Sequence, residues 1–303
     1  MSSGERQAEL DELVTEGRRA APSEYDLLST VELVELMNRE DAAVPAAVLA
    51  AGEKLAAAVD AIVERLRGGG RLVYVGAGTS GRLAALDAAE CESTFSSAGG
   101  QVIALVAGAN LAAQPERDAV EDDAEAGAEA IRGAAIMAGD AVVGVSASGR
   151  TPYVVGALEA ARAAGALTVC VVSTPSSVLA QICEHEIAVV VGPEFIAGST
   201  RLKAGTAQKL VLNTVSTLAM VRLGKTYGDL MVDVAGSNEK LRARARRAVR
   251  LATGAGDDEV AEALDAAGGS AKVAIVSLLA KVDAETARLR LSEAGGNLRE
   301  ALR

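Results

Sequence analysis

The sequence predicts an α/β fold built on a parallel sheet with helices on both faces. Five apolar, β-branched runs, at 71–75, 101–106, 141–146, 167–173 and 186–191, alternate with helical segments. That is the pattern of strands joined by crossover helices. Two of the runs end in loops rich in Gly, Ser and Thr, and in such sheets ligands bind beyond the carboxyl ends of the strands. Half of the 303 residues are apolar, mostly Ala, Val and Leu, with no Trp and two Phe. The core must therefore pack through small aliphatic side chains.

In chain order, residues 1–47 are polar and helical, broken at Pro22 and Pro45, and read as an N-terminal helical arm. Ser29-Thr30-Val31-Glu32 can cap a helix whose apolar face is Val31, Val34, Leu36 and Met37. The arm is too thin to fold alone and needs its own domain or a partner subunit to pack on. A central domain spans 48–250. Its first helix runs from about Pro45 to Arg67 and ends at Gly68-Gly69-Gly70. After the fifth apolar run, Gly198-Ser199-Thr200 leads into a long apolar helix from Arg201 to about Arg222, and a basic helix covers Glu239 to Arg250. Three short helical patterns, 257–267, 270–281 and 283–294, make 251–303 a small helical C-terminal domain.

A formal net charge of −11 argues against nucleic acid and anionic membranes, since no basic stripe is available to displace counterions. Cys91, Cys170 and Cys183 are odd in number and lack metal-type spacing. Cys170, inside an apolar run, reads as a small hydrophobe, and a reducing compartment fits better than a disulfide framework. The first residues lack the apolar core of a signal peptide, and the longest uncharged run, Ala163 to Cys183, is broken by Gly165, Pro175 and serines. A cytoplasmic protein that does not enter membranes is expected.

The first loop, Gly76-Ala77-Gly78-Thr79-Ser80-Gly81-Arg82, joins a strand to a helix N-terminus, where backbone N–H groups, hydroxyls and the helix dipole can hold an anion. Taken alone it is equally a plain capped turn, and it matches neither a dinucleotide fingerprint nor a Walker loop. The second loop, Ser146-Ala147-Ser148-Gly149-Arg150-Thr151, repeats the chemistry, and Arg82 and Arg150 add charge. Two such strand ends make a sugar-phosphate site the first hypothesis. Ser199, Arg201 and Lys203 could neutralise an anion at a third helix start, or pair with surface carboxylates. Glu90, on the helix after the first loop, is either a solvated carboxylate or a general acid or base. Glu121 sits in an acidic run that reads locally as a solvated helix face. The single histidine, His185, reads as an exposed strand-entry residue, which leaves no Ser-His-Asp arrangement, and no cluster suggests a metal.

Nearly end to end, the chain resembles the N-acetylmuramic acid 6-phosphate etherases of the sugar isomerase (SIS) domain group. The resemblance rests on Thr15-Glu16, Leu28-Ser29-Thr30, Asn38-Arg39-Glu40-Asp41 with Val44-Pro45, and Gly76 through Leu83. It continues in Ala147-Ser148-Gly149-Arg150-Thr151-Pro152-Tyr153, Gly198 through Lys209, Met231-Val232-Asp233-Val234 and Asn238-Glu239-Lys240-Leu241. It implies an SIS-type three-layer sandwich with a five-stranded parallel sheet. It also implies cleavage of the lactyl ether of N-acetylmuramic acid 6-phosphate to N-acetylglucosamine 6-phosphate and D-lactate, with no metal or organic cofactor. Glu90 falls on the family's acid, and Glu121 aligns with its second glutamate, a candidate for C2 proton transfer. Gly78, Thr79, Ser80, Arg82, Ser146, Ser148, Gly149, Arg150, Thr151, Ser199 and Lys203 form the expected phosphate and substrate set. The group's habit implies a homodimer with the site near the subunit interface.

The chain departs from the family pattern at Ala89-Glu90-Cys91-Glu92-Ser93-Thr94, where Ser-Glu-Cys-Pro-Pro-Thr is usual, at Ala107-Gly108-Ala109-Asn110, where Gly-Gly-Glu is expected, and at Ala197, where Thr is usual. Two rivals remain. One is a non-catalytic sugar-phosphate sensor resembling the glucokinase regulatory protein; retention of Glu90 speaks against it. The other, an aldose–ketose isomerase, lacks the ring-opening histidine such enzymes often use.

Overall fold

In the computed structural model, which describes residues 17, 24–111, 113–233 and 239–303, the five apolar runs are five strands. They are β1 (Leu72–Gly76), β2 (Val102–Val106), β3 (Ala141–Val145), β4 (Leu167–Val172) and β5 (His185–Ala188). All neighbours are parallel, in the order β2-β1-β3-β4-β5. Before β1 run α1 (Thr30–Asp41), α2 (Val44–Ala50) and α3 (Gly52–Arg67); between the strands run α4 (Gly78–Phe95), α5 (Gln114–Glu121), α6 (Ala124–Gly133), α7 (Pro152–Ala163) and α8 (Val178–Ile182), and α9 (Lys203–Arg222) follows β5. A short hairpin, β6 (Thr226–Tyr227) and β7 (Leu230–Met231), precedes α10 (Glu239–Thr253), α11 (Asp257–Ala266), α12 (Ala271–Ala280), α13 (Ala284–Glu293) and α14 (Leu298–Ala301). Thr15-Glu16, Pro22, Val234 and Asn238 lie outside the described residues.

The chain divides into two compact units. The first holds the described residues up to Ala88 together with Val102–Val215; the second holds Ala89–Gln101 and Ser216–Arg303. In the first, Val73, Val75, Val142, Cys170 and Val172 turn one sheet face toward Ile131 of α6 and Tyr153, Val154, Ala157, Leu158 and Ala161 of α7. The strands' other face carries Tyr74, whose hydroxyl donates to Asp87 of α4 at 2.9 Å. Asp87 in turn accepts from Asn213 Nδ2 of α9 at 2.6 Å. α3 packs along β3, β4 and β5 through Leu55, Val59, Ile62, Val63 and Leu66, an i, i+4, i+7 stripe. Helix, sheet and helix make the three layers expected.

Three local expectations need correction. The helix expected from Pro45 to Arg67 is two helices, because Ala51 leaves helical geometry at φ −87°, ψ 6° before Gly52 restarts it. The basic helix, placed before the boundary at 250, packs instead with the C-terminal helices. Ala245 and Val249 of α10 join Val260, Leu264, Ala274, Ile275, Ala287 and Leu291 in the core of the second unit. His185 opens β5 as expected, but half-buried rather than exposed. The Ser29 capping box is present: the serine accepts from Glu32 N at 3.4 Å and its own N–H donates to Glu32 Oε2 at 2.8 Å. Val31 and Val34 on α1 and Leu49 on α2 stay exposed, while Leu36 and Met37 are half-buried, so among the described residues the arm's apolar face is only partly covered.

The tightest helix contact is between α6 and α7. A Cβ on Gly127 would lie 1.9 Å from the Tyr153 carbonyl oxygen, and one on Gly156 would lie 1.9 Å from that of Ala124. Backbone meets backbone there, and no side chain can swing aside. Gly127→Ala and Gly156→Ala are each expected to destabilise the fold by about 3 kcal/mol, the upper range of overpacking, read as a lowered midpoint in thermal unfolding. An unchanged midpoint would show that the two helices can separate freely.

Candidate functional site

The strand order places β1 between β2 and β3, so the connections leaving β1 and β3 diverge. A crevice opens at their carboxyl ends, the switch point where open α/β sheets bind ligands. Gly76 of β1 is paired with Val145 of β3, so both candidate loops leave adjacent strands at the same level. Gly78 turns the first loop into α4 in one residue at φ +53°, a region that glycine enters without strain. A Cβ on Gly81 would stand 2.7 Å from the Gly76 carbonyl oxygen, so the helix start presses directly on the strand end.

In the second loop, Ser146 is buried. Its hydroxyl lies 2.9 Å from Thr151 Oγ1 and 3.3 Å from Ser148 Oγ, and it accepts from Gly149 N at 3.1 Å. Ser148 Oγ accepts from Arg150 N at 3.3 Å. Three hydroxyls and Gly149 (φ +67°) thus cluster just before α7, whose first residue, Pro152, has no N–H to satisfy.

The first loop borders a cavity of about 420 Å³ lined by Gly78, Arg82, Val106, Arg117, Asp118 and Glu121 among others. Glu121, the last residue of α5, has its Oε2 3.6 Å from where a Gly78 Cβ would be. Burial first, then the charges of Asp122 and Asp118, raise its carboxyl above the ordinary glutamate range, while Arg82 pulls it down. A residue that reads locally as part of a solvated acidic run is therefore held, half-buried, over the first loop. Arg82 is exposed, and its Nη2 donates to Thr79 Oγ1 at 3.2 Å.

Other expected residues lie elsewhere. Glu90 is exposed and stands three turns beyond Gly78 on the continuous α4. Ser199 is half-buried in the turn before α9. Lys203 opens α9 with its ammonium buried on Glu40 Oε2 at 3.0 Å, a carboxylate from α1. The Lys203 and Ala204 N–H groups, both 2.9 Å from the buried Glu194 carboxylate, are satisfied as well. Lys203 thus ties the arm to α9 in this structure. Sequence reasoning did not select Gln208, which is 2 % exposed and accepts from Ser80 Oγ at 3.0 Å. A signal was available: Ala204, Gln208, Val211 and Val215 form one buried stripe, and Gln208 is its single polar member.

Sheet order and paired Ser/Thr/Gly loops define an SIS domain. Residues 54–162 match the model of the glucokinase regulatory protein N-terminal SIS domain, and 123–218 match that of the SIS domain. A phosphoheptose isomerase from Francisella tularensis shares the fold, with TM-score 0.51 at 15% identity over 64% of this chain and 100% of that one. Full-length likeness lies with a narrower group. An N-acetylmuramic acid 6-phosphate etherase of Rubrobacter xylanophilus is 58% identical over 293 residues, 97% of each chain. One of Streptomyces avermitilis is 55% identical over 296 residues, 98% of this chain and 95% of the relative. The chain belongs to the N-acetylmuramic acid 6-phosphate etherase family, enzymes of the carbon–oxygen lyase class.

Proposed function

We propose that this chain cleaves the D-lactyl ether of N-acetylmuramic acid 6-phosphate in cell-wall amino-sugar recycling in the cytoplasm. The observation that carries the mechanism is Glu121, half-buried over the first loop with its carboxyl raised. A carboxylate with a raised pKa is a stronger base than a solvated one. In the open-chain aldehyde the C2–H bond is acidified, and Glu121 takes that proton. The C3–O bond breaks, lactate leaves with a proton from Glu90, and a C2=C3 alkene forms. Water, deprotonated by Glu90, then adds its oxygen at C3 while C2 regains a proton, giving N-acetylglucosamine 6-phosphate. The loops Gly78-Thr79-Ser80 and Ser146 to Thr151, with Arg82 and Arg150, hold the phosphate. Proton transfer and positioning suffice for this route, with no metal or organic cofactor.

The reacting carbons are adjacent, so acid and base must stand within a few ångströms of one sugar. Glu121 lies over the start of α4, but Glu90 stands twelve residues along it, about 18 Å of axial rise. That supports a homodimer in which Glu90 reaches the site of the neighbouring subunit. Val31, Val34 and Leu49, exposed among the described residues, supply apolar surface for such pairing. His185 opens the edge strand β5, level with Val169 and separated from the strands of both loops by β4, and does not support an isomerase. The match of 54–162 to the glucokinase regulatory protein model keeps one second reading, a sugar-phosphate sensor. Incubation with N-acetylmuramic acid 6-phosphate and enzymatic assay of D-lactate separates the two. Stoichiometric D-lactate is expected; tight binding without release would establish the sensor.

A further inference from the structure

We propose that Gln208 is a positioning residue of the phosphate site, fixing the Ser80 hydroxyl with one end of its amide and donating to the substrate's phosphate with the other. The inference rests on the sugar-phosphate reading above and assigns that site a ligand outside its two loops.

A primary amide offers two donors and an acceptor oxygen, and a buried one is normally satisfied at both ends. Gln208 is 2 % exposed, on the apolar stripe of α9 between Ala204 and Val211. Its Oε1 accepts the Ser80 hydroxyl proton at 3.0 Å. Its Nε2 is buried with no hydrogen-bond partner among the described residues. Nitrogen and oxygen share one carbon, so that N–H group lies within about 5 Å of Ser80 Oγ. One turn earlier on α9, a Cβ at Gly205 would stand 3.7 Å from the Thr79 methyl, so α9 lies against the loop at two successive points.

A hydroxyl has a single proton to give. The Ser80 proton is directed at Gln208, which leaves the hydroxyl only lone pairs to present to a phosphate dianion. The Nε2 group supplies a donor beside it, at the N-terminus of α4 where the helix dipole also favours negative charge. Gln208 thus accounts for a polar residue inside an apolar stripe. A methyl-bearing or thioether side chain would fill the same space without the buried amide.

The test uses Gln208→Glu and Gln208→Met in the full chain. The glutamate variant keeps the acceptor for Ser80 but replaces the donor with an anionic oxygen. The methionine variant keeps the volume and suits the apolar stripe, so the chain stays folded. Calorimetric titration with N-acetylglucosamine 6-phosphate, and separately with inorganic phosphate, is expected to show binding weakened tenfold to a hundredfold in both, the range for a lost hydrogen bond to a charged group. KM should rise while kcat changes less than about threefold. In the glutamate variant affinity should recover as pH falls and the introduced carboxyl takes up a proton, a readout that a merely structural role would not move. Wild-type affinity in both folded variants would overturn the proposal. A wild-type chain that binds neither ligand would overturn the sugar-phosphate reading itself, so the two failures are distinguishable.

Discussion

Glu121→Gln is expected to lower kcat/KM for D-lactate release by about 10²–10⁴-fold, the usual contribution of a positioned base, with little change in thermal stability. The substitution keeps size and hydrogen-bonding shape over Gly78 and removes only the ability to take the C2 proton. Loss of solvent deuterium incorporation at C2 of N-acetylglucosamine 6-phosphate on prolonged incubation would accompany it, because the same base exchanges that proton in the reverse direction. The pH profile gives a second check. Burial, then Asp122 and Asp118, hold the Glu121 carboxyl up, and Arg82 opposes them. Since the ionised form is the base, the acid limb of kcat/KM should lie above the range of an unperturbed glutamate. Asp122→Asn removes a like charge, stabilises the carboxylate and should move that limb to lower pH. Arg82→Gln should move it to higher pH. Comparing variants with one substrate cancels the phosphate's own titration. A limb that ignores Asp122 would mean that another group carries the proton.

The strands were legible because their signals are local. β-branched runs bounded by glycines locate β1 to β4 to within a residue or so, and small polar residues such as Ser270 and Asp283 cap the C-terminal helices where the pattern starts them. Both Gly/Ser/Thr loops at the strand ends were legible for the same reason: such residues after a strand are a local motif. The remaining parts depend on contacts between distant residues. Lys203 reads as an anion ligand or a surface ion-pair member beside a glycine turn, yet its partner, the half-buried Glu40, is 163 residues away. Glu121 reads as one charge in a solvated run until the chain folds α5 back over Gly78. Gln208 and Ser80 lie 128 residues apart and carry no mutual signature. The break at Ala51 left one local signal, Gly52 just past the helix end, which the apolar periodicity on either side obscures. Local chemistry thus shows what a loop can bind, while burial and pairing decide which groups reach it.

Glu90→Gln should abolish D-lactate release, by 10²–10⁴-fold if proton donation to the leaving oxygen is its role, while N-acetylglucosamine 6-phosphate still binds through the loops. Its position makes a sharper experiment possible. If each site combines Glu121 of one subunit with Glu90 of the other, a mixed dimer of Glu90→Gln and Glu121→Gln chains has one site with both substitutions and one with neither. Mixing the two inactive proteins, after dissociation and reassembly, should therefore restore activity toward about one quarter of wild type: half the dimers are mixed, and each has one intact site. If both glutamates acted within one chain, no intact site could form and the mixture would stay inactive. The geometry favours recovery, since twelve helical residues separate Glu90 from the loop beneath Glu121, and a side chain cannot span that length. The residues after Glu90 bear on the same experiment. Glu92 and Ser93 are exposed where the family usually has two prolines. In this chain both lie inside α4, so Glu92→Pro with Ser93→Pro should break its last turns, shift Glu90 and lower kcat. An unchanged kcat would show that the last turn of α4, which continues to Phe95, does not position the acid.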